Sequence, residues 1–176
     1  MTELSELESA YENLSPAKRL LFLSACIRHV AGAFSRVAGV PAKLHGDVIS
    51  PAIIALESGG TSDASTLAKV IVESERIAQD LGENAENDLQ SIVLACASAI
   101  EIAGGASKSV RSVVNNLDDT ITMCDTDEEA GLEEEFELRL RFLAALTESE
   151  TGGGLPELVG TILDWERRWA ADYNQL

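Results

Sequence analysis

Residues 15–37 read SPAKRLLFLSACIRHVAGAFSRV, and this stretch decides the fold class. Ser15 followed by Pro16 is a helix-start pair. The serine caps the first turn, and the proline fits its first position because the N–H it lacks would have no partner there. Behind that start, Leu20, Leu23, Ile27, Val30, Phe34 and Val37 recur by threes and fours, the spacing of one helix face. Leu21, Phe22, Cys26 and Ala33 widen the stripe, leaving a narrow wet face to Lys18, Arg19, Arg28 and Arg36. A helix of this kind is buried over most of its circumference and needs other helices around it. Gly39-Val40-Pro41 ends it, near residue 38.

The same signals recur outward from that segment. Upstream, residues 3–13 set Leu4, Leu7 and Tyr11 on one side and Glu3, Glu6, Glu8 and Glu12 around the rest, a short amphipathic helix. Downstream, after a loop through Gly46, Ser50-Pro51 opens a short helix over about 51–58 that Gly59-Gly60 stops. Asp63 caps a helix over 64–81, with Leu67, Val70, Ile71, Ile77 and Leu81 inward and Gly82 as its end. The helix over 84–103 contains IVLACASAIEIA, apolar nearly all round and rich in small side chains that let backbones approach, which puts it at the centre. Helices over 106–123 and 127–147 follow. TGGGLP then gives a flexible Gly-rich loop at 151–155, and a last helix over 156–172 uses Leu158, Val159, Ile162, Trp165 and Trp169, the tryptophans anchoring it on the core. The expectation is one all-α domain over 1–176, a bundle of seven or eight helices.

Composition agrees with that and narrows function. Hydrophobic residues make up 45% of the 176 but aromatics only 5%, so closely packed Leu, Ala, Ile and Val must build the core. Thirty acids against 13 bases give a formal charge of −17, which repels phosphate backbones and anionic membranes. Nucleic acid and membrane are therefore not expected as partners, whereas a basic protein surface is. Plain solubility explains the same charge. Cys26, Cys96 and Cys124 form no CxxC pair, and their odd number fits reduced thiols in the cytoplasm. The start MTELSELESAYENL does not read as a signal peptide, and no apolar run is long enough to span a bilayer.

The acidity has a centre. Asp118, Asp119, Asp125, Asp127, Glu128, Glu129, Glu133, Glu134, Glu135 and Glu137 place ten acids within twenty residues with no base among them. Either these acids are a solvated helix start favoured by the helix dipole, or they are a partner-binding face, joined by Glu73, Glu75 and Asp80. Asp125-x-Asp127-x-Glu129 resembles the start of a calcium loop, but Ala130 and Phe136 stand where its glycine and closing glutamate belong. No metal is expected there. Cys26 and His29 share a helix face without a visible orienting group, which reads as core packing rather than a nucleophile. With no GxxxxGK[ST], GxGxxG or HExxH, neither enzymatic activity nor a cofactor is expected.

Three stretches carry a family likeness. From Arg19 to Val30 the chain has Ala25-Cys26-x-x-His29-Val30; from Pro41 to Gly59 a proline-containing loop leads to Ala55-Leu56-Glu57-x-Gly59; and Leu89 to Ala103 is alanine-rich. In this order, over about residues 1–105, the chain resembles the helical immunity proteins of bacterial polymorphic-toxin systems. That resemblance implies a cytoplasmic, non-enzymatic protein that binds a cognate toxin and blocks it, through the acids of 118–137. The alternative is an acidic helical adaptor, or a structural protein that self-associates through an apolar helix face.

Overall fold

The computed structural model describes residues 3–37, 42–58, 64–83, 87–122, 128–148 and 160. Its elements are α1 (Glu3–Glu12), α2 (Pro16–Val37), α3 (Ala42–Leu44), a π-helical turn (His45–Ile49), α4 (Ser50–Glu57), α5 (Ala64–Glu83), α6 (Asn87–Ala103), α7 (Val110–Thr122) and α8 (Glu128–Glu148). Taking 42–57 as one continuous helix, the described residues form seven helices and no strand, an all-α bundle as the periodicity demands. None of these helices is long and apolar enough to cross a membrane. The Gly-rich loop at 151–155, the helix over 156–172 with its two tryptophans, and Cys124 lie outside the described residues.

The core follows from the stripes. Leu21, Phe22, Leu23 and Ile27 of α2 and Ile92, Val93, Cys96, Ala99 and Ile100 of α6 are fully enclosed. α6 touches α2, α4, α5, α7 and the π-helical turn, so the small-residue helix is central, and its contact with α5 is the most extensive. Gln90 of α6 fastens that contact by donating Nε2–H to the Ala78 carbonyl at 2.9 Å. Helix α8 lies across α1, α2 and α7. Phe142 stacks on Phe22 with ring centroids 6.2 Å apart, and Phe22 meets Tyr11 at 5.7 Å, so three rings join α8, α2 and α1.

Two boundaries differ from the sequence reading. The expected loop through Gly46 is helical, because Leu44, Val48 and Ile49 are all buried and a wound path turns all three inward. The extra residue is absorbed as a wide turn, in which the Ser50 N–H reaches the His45 carbonyl. Lys43 pairs with Asp47 at 3.0 Å, and Ser50 Oγ lies 2.9 Å from His45 Nδ1 across it. The second correction is at α7, expected from 106 but beginning at Val110. Residues 104–106 instead close α6: Gly105 takes φ +86°, and the N–H groups of Gly105 and Ala106 return to the carbonyls of Ile102 and Glu101. Ser109 then caps α7, its Oγ accepting from the Arg111 N–H at 3.1 Å. Gly82 does not stop α5, which runs one residue further to Glu83.

Candidate functional site

The acids singled out by the sequence separate into two groups. Asp119, Glu133 and Glu137 are exposed on α7 and α8. Glu128, Glu129 and Glu134 belong to the α8 backbone, with side chains outside the described residues, as are Asp125 and Asp127 altogether. Asp118 and Glu135 do something else. Asp118 Oδ1 accepts from Arg139 Nη1 at 2.6 Å, and Glu135 Oε1 accepts from Arg139 Nε at 3.0 Å. The other Glu135 oxygen lies 2.6 Å from His29 Nε2. With Arg139 at 3% exposure and Glu135 at 5%, these are core residues, so Glu135 is no part of an acidic surface and Asp118 faces inward.

The chain of contacts Asp118–Arg139–Glu135–His29 ties α7, α8 and α2 together. Its electrostatics follow from burial against pairing. Burial pushes the Glu135 carboxyl up, but the Arg139 guanidinium and the His29 contact outweigh it and hold the group below the usual range. Asp118 goes the other way: burial raises it, and Arg139 offsets this only in part. Burial alone would make Arg139 a weaker base, yet Glu135 and Asp118 together raise it. Beneath the cluster the Cys26 thiol is pushed up to about 12 by burial, so it stays a neutral thiol and not a nucleophile. Cys26 and His29 do share a face, as their spacing requires, but the imidazole serves Glu135.

Sequence reading overlooked Arg139, although a signal was present. Glu135, Arg139, Phe142, Leu143 and Leu146 stand at i, i+4, i+7, i+8 and i+11, so the carboxylate and guanidinium occupy the apolar stripe itself. A second polar seam joins α2 to α4: Glu57 Oε1 accepts from Ser24 Oγ at 2.9 Å and from Arg28 Nε at 2.7 Å. Of the auxiliary acids, Glu73 and Asp80 are paired with Arg76 at 2.6 and 2.9 Å, and Glu75 is exposed.

An open cleft of about 460 Å³ lies where α1 and α2 meet the α6–α7 turn, floored by Tyr11, Leu20, Ile102 and Val110. Its charges are mutually engaged. Lys108 pairs with Glu101, Glu8 holds Arg111 at 2.6 Å, and Arg19 donates to the carbonyls of Leu14 and Glu12 at the end of α1. Among the described residues no group of three or more His, Cys, Asp or Glu is placed to hold a metal ion. No family model, curated protein or solved structure matches this chain.

Proposed function

We propose that this chain is a non-enzymatic immunity protein that binds and neutralises a cognate bacterial toxin or effector domain of basic surface, through the outward carboxylates of α7 and α8. The observation that carries the reading is the division of the acids just described. Arg139 holds Asp118 and Glu135 inside, while Asp119, Glu133 and Glu137 stay on the surface of the same two helices. Their negative field adds to a chain charge of −17 and favours rapid, salt-sensitive encounter with a cationic partner. Only Glu137 has a cation set against it, Arg141 at 3.1 Å, and that exposed i,i+4 pair is weak.

The residues that carry the likeness to immunity proteins work within the fold. Cys26 and His29 lie under α8, and Glu57 bonds Ser24 and Arg28. On this reading the motif builds the scaffold and the acidic corner supplies the recognition. Immunity genes lie immediately after their toxin genes, which identifies the partner to test. Co-expression with the product of the adjacent upstream gene should restore growth that this product alone arrests. No rescue by the folded protein would remove the reading. The adaptor alternative rests on Ile54 and Val72, 65% and 63% exposed on α4 and α5. It predicts a concentration-dependent mass in light scattering, where the immunity reading needs none.

A further inference from the structure

The buried cluster has an unbalanced charge count. From α7 come Asp118 and its neighbour Asp119, from α8 Glu135 and Arg139, from α2 Cys26 and His29, and from α1 Tyr11. Asp119 is exposed and screened by solvent. Burial pushes the Tyr11 hydroxyl and the Cys26 thiol up to about 12, so both stay neutral at any ordinary pH. That leaves two carboxylates against one guanidinium in a site where Arg139 is 3% and Glu135 5% exposed. With His29 as imidazolium the four groups sum to zero; with neutral imidazole they sum to −1.

An uncompensated charge in the interior opposes the packing that encloses it. What encloses this one is helix α8, which brings Glu135 and Arg139 to the cluster and rests on α1, α2 and α7. His29 Nε2 is 2.6 Å from Glu135 Oε2, close enough for the charge on the ring to act directly on α8. The imidazole keeps 12% of its surface in solvent, so its proton exchanges without unfolding.

We infer that His29 is a proton-operated latch on α8: protonated, it balances the cluster and seats the helix; deprotonated, it leaves one buried negative charge that loosens the helix from α2 and α7. The sign follows. Seating is firmest at mildly acidic pH and weakens as the pH rises through the range where imidazoles titrate, between about 5 and 8. The inference stands whatever the outer acids bind. Because α8 also carries Glu133 and Glu137, the latch would set how rigidly those two are presented.

Amide hydrogen exchange on the full chain, corrected for the intrinsic pH dependence of exchange, reads this out helix by helix. Protection of α8 should fall by about tenfold between about pH 5.5 and 8, while α5 and α6 hold theirs. His29→Gln keeps an N–H donor for Glu135 but cannot titrate, and should make α8 protection flat over that range. The chain has only two histidines, so His45→Gln, at the exposed end of the π-helical turn, is the control and should leave the fall in place. If His29→Gln does not fold, persistence of the fall in His45→Gln still assigns it to His29. An α8 protection that is flat in the parent chain, a fall that survives His29→Gln, or one that disappears with His45→Gln would overturn the latch.

Discussion

Asp118 Oδ1 lies 2.6 Å from Arg139 Nη1 and joins α7 to α8 across 21 positions of sequence. The same guanidinium holds Glu135, so one residue compensates two buried carboxylates. Removing it strands both. Arg139→Leu should cost about 3–5 kcal/mol, the penalty for breaking a buried ion pair from one side. Urea unfolding measures it. Converting Asp118, Glu135 and Arg139 together to apolar residues of similar volume should recover most of the loss; no recovery would mean that packing, not charge, holds α8.

Charge reversal separates the inner acids from the outer ones. Glu133→Lys is expected to change stability by no more than about 0.5 kcal/mol, as surface substitutions do. Glu135→Lys puts a second cation against Arg139 and should unfold α8, visible as lost helical circular dichroism. Equal behaviour of the two variants would contradict the placement of Glu135.

Acid titration gives the two inner carboxylates opposite signs. The folded Glu135 carboxyl is lowered, so its contribution is present above the ordinary carboxylate range and is lost as pH falls through the folded value. Asp118 is raised, so its contribution is present below its unfolded value and is lost as pH rises through the folded one. Melting temperatures between about pH 6 and 3 should therefore decline more gently in Glu135→Gln and more steeply in Asp118→Asn than in the parent.

Burial makes thiol chemistry a folding probe. Cys26 and Cys96 are enclosed, and both are pushed up to about 12. In a Cys124→Ser chain a disulfide reagent should leave both thiols unmodified until denaturant is added. Prompt reaction of the native protein would show that α8 does not cover Cys26.

How much of this could be read from the chain depended on which physical signal each residue carried. Ser15-Pro16 and the stripe of α2 set that helix correctly because cap chemistry and periodicity agree. Gly46 misled, since a glycine that breaks many helices is tolerated where a side chain there would meet nothing within 4 Å. The α7 start misled for the opposite reason: Gly105 at φ +86° serves a closing turn, so the next helix waits for Ser109. At the site, composition located the acidic segment, but counting charges treats all carboxylates alike. Which of them turn inward is set by helix phase, and Glu135 lies in phase with Phe142 and Leu146 as Glu133 does not.

The account turns on whether the outer carboxylates of α7 and α8 are a recognition surface. The most direct measurement is calorimetric titration of the adjacent upstream gene product with the parent chain and with a combined Asp119→Lys, Glu133→Lys and Glu137→Lys variant. Glu135 and Asp118 are left intact so that the fold is preserved. The account predicts a tight, salt-dependent complex for the parent and about 100-fold or greater loss of affinity in the variant, with an unchanged melting temperature. Binding of equal strength by parent and variant, or no binding by the parent, would contradict it.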